Sequence, residues 1–294
     1  MGTDSDVLKA LRQADLPFQV RQDFCLVQLE ARCFRLRNGR DSYFVKLLDE
    51  KDPRDANELH VCRKLLAEGP CPAPRLVFAV NAGSRTIACW EWLEGGDLRR
   101  SNRHRLPDAF EAIGRFHLAK RHDDAVTSPW ARKTHTSVAD MLSAEVEFLC
   151  SSLPDRKERQ CRSVIAALED AYPTWIHGDF HPGNIYVTEA GFRFVDWGYA
   201  TRSLNVFDLG YVQSVPLRGV SRQEWWTIGP REAGAVLPVY FQACGLAHLD
   251  ITTIHGAVML WSELVAHHNS VRLGNEEGVT TCRENIELLL AQHR

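Results

Sequence analysis

The 294 residues predict an α+β chain in two lobes, a small lobe built on an antiparallel sheet followed by a larger, mainly helical one. Three observations predict it. Short apolar runs of strand length, punctuated by turn residues, fill the first third of the sequence. Apolar residues at helical spacing dominate from about residue 107 onward. Between them, Glu94-Gly95-Gly96 breaks both patterns, so residues 1–94 are expected to form the first lobe and residues 95–294 the second. Glycine absorbs large changes in backbone dihedral, which makes Gly95-Gly96 the natural hinge.

Phe24–Leu29, Cys33–Leu36 and Tyr43–Leu48 are rich in aliphatic and aromatic residues and read as strands, the last two joined at the hairpin signal Asn38-Gly39. Pro53–Glu68 places Ala56, Leu59, Val61-Cys62 and Leu65-Leu66 at helical spacing, with Gly69-Pro70 as the stop. Pro74–Val80 and Thr86–Trp92 read as two more strands. Helices are expected over about 107–121, 137–152, 156–171, 232–245, 250–272 and 278–292, interrupted near Trp175–Asp196 by two short strands around a loop.

Thirty-five Lys and Arg against 38 Asp and Glu give a net charge of −3 and a pI near 6.5, so no broad electrostatic footprint for nucleic acid or an anionic membrane is present. The acidic start Met1–Asp6 differs from a basic secretory leader. The longest uncharged stretch, Ala233–Ala247, contains Pro238 and Gln242 and falls short of the roughly 20 residues of a membrane span. The nine cysteines form no C-x-x-C pair and read as buried, reduced thiols. A cytoplasmic protein is expected.

The chemistry concentrates in Trp175–Val187, where His177, Asp179, His181 and Asn184 stand between apolar flanks. Charge in such a loop is costly as core packing and points to function. Asp179 and Asn184 have the D-x-x-x-x-N spacing of a kinase catalytic loop, in which the Asp orients the attacking hydroxyl and the Asn holds a metal ion. Phe192–Val195 leads as a strand into Asp196-Trp197-Gly198, the position of the Mg²⁺-chelating D-F-G. Upstream, Tyr43-Phe44-Val45-Lys46 ends in a lysine on a strand, as V-A-I-K does, and Glu58 on the following helix is placed to pair with it. Singly, Lys46 reads as a solvated strand charge, Glu58 as a helix-surface residue and Asp196 as a turn residue; their common order and spacing argue against coincidence.

His177-Gly178-Asp179-Phe180-His181-Pro182-Gly183-Asn184 resembles the H-G-D-x-H-x-x-N signature of the aminoglycoside phosphotransferase family, the kinase-like group that includes choline, homoserine, fructosamine and methylthioribose kinases. The resemblance runs through the Lys46 hairpin, the Glu58 helix, the Glu91–Gly96 linker, the Phe116-His117 helix, the catalytic loop, Asp196-Trp197 and Asp208. It implies a two-lobed protein-kinase-like fold, ATP between the lobes, and transfer of the γ-phosphoryl group to a hydroxyl of a small molecule. In that frame Lys46, held by Glu58, contacts the α/β-phosphates, and Asn184 and Asp196 hold Mg²⁺. Asp179 is the base, and the backbone from Trp90 to Leu93, with Glu91, meets the adenine. His177 and Asp208 are scaffolding; His181 is either structural or a substrate contact. The sequence departs from the pattern twice. Val27–Cys33 contains no glycine where protein kinases have a Gly-rich loop, and Gly198 stands where relatives often carry an acidic residue. No A-P-E follows Asp208, which disfavours a protein kinase.

The acceptor is less defined. Residues 170–294 carry 13 Asp and Glu against 8 Arg and no Lys, which would suit a cationic acceptor, although solvated helix faces account for most of these charges. Trp225-Trp226, Tyr240 and Trp261 offer an aromatic cage or, more simply, core. Glu224, Glu263 and His267 are further candidates for substrate contact. Two other readings are an inactive nucleotide-binding scaffold and a metal-dependent hydrolase using His177, Asp179 and His181; the second leaves Lys46 and Asp196 unexplained.

Overall fold

The computed structural model describes residues 7, 11, 25–49, 51–68, 71–82, 85–99, 101–122, 125–218 and 226–293. Phe24, Gly69-Pro70, Glu224 and Trp225 lie outside them. The chain divides into two compact units: one takes in the described residues up to Gly96 together with Tyr186–Tyr199, the other Asp97–Ile185 and the residues from Ala200 onward. Segment 186–199 sits with the first unit because its backbone is pinned there. The Phe194 N–H donates to Pro72 O at 2.8 Å and Asn57 Nδ2 to Gly198 O at 3.0 Å.

In the first unit, β1 (Cys25–Glu30), β2 (Cys33–Asn38), β3 (Asp41–Asp49), β4 (Leu76–Ala82) and β5 (Arg85–Glu91) form a five-stranded antiparallel sheet in the order β1-β2-β3-β5-β4. The β2–β3 turn is Gly39-Arg40, closed by the pair Asn38↔Asp41, one residue later than the sequence signal; Gly39 supplies the positive φ of 67°. Alternation divides the sheet's faces. Phe34, Leu36, Val45, Leu47, Ile87 and Cys89 bury one face together with Val7 and Leu11, and Leu48, Ala88 and Trp90 cluster with Phe44 and Leu59. Helix α1 (Pro53–Ala67) starts where Asp52 accepts the Arg54 N–H and Pro53 fixes the first turn. Gly198 explains itself here, since a Cβ would lie 3.3 Å from the Arg54 carbonyl oxygen: the turn after Asp196 packs directly on α1.

The second unit is mainly helical: α2 (Leu106–Ala119), α3 (Val138–Leu149), α4 (Asp155–Ile165), α5 (Pro230–Ala243), α6 (Ile251–Arg272) and α7 (Glu276–Gln292). The helix expected over 156–171 ends at Ile165 and tightens into a 3₁₀ turn, Ala166–Asp170, a common way to close a helix terminus. Strands β9 (Pro173–Ile176) and β12 (Thr201–Leu204) pair antiparallel, and the second of these was not expected. The remaining strands are β6 (Gly96–Asp97), β7 (Val126–Thr127), β8 (Thr134–His135), β10 (Ile185–Thr188) and β11 (Gly191–Phe194). Glu145 on α3 is buried and accepts from Ser128 Oγ, the Ala131 N–H and Trp261 Nε1 at 2.9, 3.2 and 3.1 Å, so a charge in the core is met by donors. Among the described residues no helix is long and apolar enough to cross a membrane. All nine cysteines are free thiols, but only six are buried; Cys25 is exposed and Cys33 and Cys71 are half-buried.

Candidate functional site

In the first unit, β3 and α1 present their charged groups to one point. Lys46 Nζ donates to Glu58 Oε2 at 2.7 Å and to Asp196 Oδ1 at 3.2 Å. Burial pulls the Lys46 ammonium down, but the carboxylates of Glu58 and Asp196 outweigh it and hold the group charged. Burial pushes the Glu58 carboxyl up, to about 7, against the pull of Lys46. Asp196 differs from its partners in being half exposed, with a side-chain exposure of 51% against 8% for Glu58. Its φ is +64°, a conformation that non-glycine residues adopt rarely and that persists where the surroundings enforce it. They do: Trp197 Nε1 donates to Phe194 O at 2.6 Å on one side, and Asn57 holds Gly198 on the other.

Glu58 and Asp196 line a cavity of about 310 Å³, large enough for a ligand headgroup. Leu29, Phe44, Pro74, Trp90, Tyr186 and Val195 give it apolar walls, and Glu91 and Leu93 line it as well. The Glu91 side chain is occupied, accepting the Arg75 N–H at 3.0 Å, and the Glu91 N–H donates back to Arg75 O at 3.0 Å. Gly95 is fixed by close approach: with φ at +152°, a Cβ there would lie 1.9 Å from Val187 O. Pro74 and Tyr186 escaped the sequence reading because isolated apolar residues carry no local pattern.

In the second unit, the loop after β9 is held from below by one carboxylate. Asp208, 2% exposed, accepts from the His177 and Gly178 N–H groups at 2.8 Å each, and its Oδ2 lies 3.1 Å from His117 Nε2. The His117 ring in turn meets the Tyr240 hydroxyl at 2.9 Å. His177 is fully buried and its Nδ1 accepts the Asp179 N–H at 3.3 Å. His181 Nδ1 accepts the Gly183 N–H at 3.0 Å, which leaves the ring proton on Nε2. Asn184 Nδ2 donates to Asp179 O at 3.0 Å, which commits its NH₂ end to the loop.

Asp179 is brought together with Asn184 and His181, and with one residue that the sequence reading missed. Tyr211 donates its hydroxyl to Asp179 Oδ1 at 2.6 Å. Trp226 stacks flat on His181, centroids 4.8 Å apart and planes 11° from parallel, and Tyr211 meets the same ring edge-on at 5.3 Å. The other aromatics considered for a cage are core: Tyr240 is fully buried, and Trp261 stacks on Phe207 at 4.2 Å. Glu263 and His267 are also buried, the former accepting from Asn285 Nδ2 at 3.0 Å. Part of the acidic bias goes to structural pairings. Asp250 caps α6, Glu232 takes Arg103, and Glu284 and Glu287 pair with Arg218 and Lys157.

Among the described residues, no group of three or more His, Cys, Asp or Glu side chains could hold a metal ion. With His177 and His181 each holding a backbone N–H on Nδ1, a zinc site of the H-x-D-x-H kind has no support. Mg²⁺ asks for less, one or two carboxylates beside substrate phosphates, and the half-exposed Asp196 carboxylate is of the kind it takes.

A model of the phosphotransferase enzyme family matches residues 26–243. Comparison with curated proteins finds no match. Among solved structures, the chain is similar to an aminoglycoside phosphotransferase APH(4)-Ia in ternary complex with AMP-PNP and hygromycin B, at 13% identity and a TM-score of 0.64, with 98% of each chain covered. It is also similar to a GDP complex of aminoglycoside 2'-phosphotransferase-IIIa (14%, TM-score 0.57, 100% of both chains) and to a choline/ethanolamine kinase family protein from Mesorhizobium loti (15%, TM-score 0.60, 99% and 93%). At such identities these neighbours establish the kinase-like fold, while the family model spans most of the chain. The chain belongs to the phosphotransferase enzyme family and is a small-molecule kinase.

Proposed function

We propose that this kinase uses ATP with Mg²⁺ and transfers the γ-phosphoryl group to a hydroxyl of a small molecule, an aminoglycoside-like compound, an amino-alcohol or a sugar. The observation that carries the reading is Lys46, clamped between Glu58 and Asp196 at the cavity of the first unit. The apolar walls suit a purine, and the ammonium suits the α/β-phosphates. Asp196 and Asn184 are the side chains this reading gives to Mg²⁺, which when bound neutralises phosphate charge. Free thiols fit a reducing compartment, the cytoplasm.

Phosphoryl transfer needs little covalent help, so the residues act by positioning and by moving one proton. Asp179 orients the acceptor hydroxyl. As the acceptor oxygen bonds to the γ-phosphorus, the bond from that phosphorus to the β,γ-bridging oxygen breaks and ADP departs with the electron pair. The acceptor's proton passes to the Asp179 carboxylate. His177 and Asp208 hold the loop in shape, and His181 belongs to the same scaffold.

The test is ADP release from Mg-ATP against aminoglycosides, choline and ethanolamine, homoserine, aminosugars, nucleosides and simple sugars, with Asp179→Ala as the control. Stimulation by one class, reduced about 10²–10⁴-fold in the variant with nucleotide affinity little changed, is expected. Asp196→Ala should remove the metal-dependent part of nucleotide binding. Wild-type protein that binds ATP but never turns it over would favour an inactive scaffold.

A further inference from the structure

We propose that Tyr211 is a positioning residue for phosphoryl transfer: its hydroxyl claims Oδ1 of Asp179 and so leaves Oδ2 as the oxygen that receives the acceptor's proton. This rests on the role given to Asp179 above. The two carboxylate oxygens are unequal. Oδ1 accepts the phenol at 2.6 Å, the short distance of a charge-assisted bond. Among the described residues, Oδ2 has only long neighbours, Asn184 Nδ2 at 3.3 Å and His181 Nε2 at 3.7 Å. An incoming hydroxyl therefore finds one oxygen engaged by a strong, short donor and the other held by weaker contacts.

The phenol is itself held. The Tyr211 carbonyl accepts the Ile228 N–H at 3.0 Å, the preceding Gly210 carbonyl accepts Ser262 Oγ at 2.8 Å, and the ring lies against His181. Three residues earlier, Asp208 fixes the backbone of His177 and Gly178. One short turn, 207–211, thus supplies both the carboxylate that shapes the catalytic loop and the hydroxyl that orients its reactive side chain. Such preorganisation is worth most where a small misplacement of the base costs rate.

Tyr211→Phe keeps the ring and its contact with His181 while deleting the hydroxyl. Turnover would be measured with Mg-ATP and whichever panel acceptor responds best, alongside ATP hydrolysis with water alone. We expect kcat to fall at least about tenfold, as for a lost hydrogen bond to a charged group, with KM for ATP and the melting temperature unchanged. 3-Fluorotyrosine at this position, which retains the donor, should keep kcat within about twofold of wild type. A Phe variant whose kcat stays within about twofold of wild type would overturn the proposal, as would a loss that follows thermal stability or KM instead of kcat. Wild-type protein without Mg-ATP turnover would instead sink the functional reading, and this inference with it.

Discussion

Replacing Asp208 by Ala separates loop shape from chemistry. Its carboxylate is the acceptor for two backbone N–H groups, of His177 and Gly178, and contacts His117 Nε2, all three within 3.1 Å. Gly178 is exposed, so water can replace the carboxylate there in part; His177 and His117 are fully buried and cannot be reached. A buried donor left without an acceptor costs about 1–3 kcal/mol. Two such groups plus a partly hydrated third put the loss at about 3–6 kcal/mol, a large share of the roughly 5–15 kcal/mol that holds a typical protein folded. Urea unfolding followed by fluorescence gives the loss directly, and turnover measured below the variant's transition reports the loop. Asp208→Asn can keep its oxygen on the two buried groups, which both meet Oδ2, and turn its NH₂ group toward the exposed Gly178 N–H, so it should recover more than half of the loss. An Ala variant destabilised by under about 1 kcal/mol with normal turnover would refute the reasoning, since it would mean that the loop holds its shape without this acceptor.

Other outcomes follow from the same geometry. His255, 1% exposed, is held below its ordinary range, at about 4, by burial, its Nε2 facing Val212 O at 3.1 Å. The unfolded chain then binds more protons between pH 4 and 6.5, so this residue's contribution is full above pH 6.5 and lost as pH falls toward 4. The difference in stability between wild type and His255→Gln should change by about 3 kcal/mol across that window, and a pH-independent difference would sink the assignment. Gly95→Ala and Gly191→Ala both force alanine to positive φ, but only the first meets a backbone oxygen at 1.9 Å, while nothing lies within 4 Å of the second. Thermal unfolding should therefore show Gly95→Ala to be the more damaging by at least about 2 kcal/mol. Equal losses would mean that the carbonyl of Val187 can move aside.

How far the sequence could be read depended on whether the determinants are local. The sheet and α1 were legible because alternation in Phe34–Leu36 and Val45–Leu47, and the Asp52-Pro53 start, are written into consecutive residues. Lys46, Glu58 and Asp196 were found by order and spacing alone, and they meet through bonds of 2.7 and 3.2 Å. Gly95 was read as a hinge because glycine is permissive; what the structure shows there is a need for space against Val187, which no neighbour in sequence reveals. The acid-rich residues 170–294 suggested a cationic acceptor, yet several of these carboxylates meet partners distant in sequence, as Glu232 does Arg103 across 129 residues, so the bias could not be discounted from composition.

Tyr211 shows most clearly where sequence reasoning stops. It lies 32 residues from Asp179, belongs to no spacing rule, and follows a motif whose visible member, Asp208, drew the attention. Its importance comes from a turn, Asn205–Leu209, whose closing bonds, Gly210 N–H to Phe207 O at 3.1 Å and Val212 N–H to Leu209 O at 2.8 Å, deliver the phenol to the loop. A change of one residue in the length of that turn would leave the composition untouched and withdraw the hydroxyl from Oδ1. The hydrogen bond from Tyr211 to Asp179 therefore depends on chain geometry as well as on residue type, and an insertion of one glycine after Leu209 should mimic Tyr211→Phe in kcat while leaving ATP binding intact. If that insertion spared kcat, the phenol would have no part in setting the carboxylate.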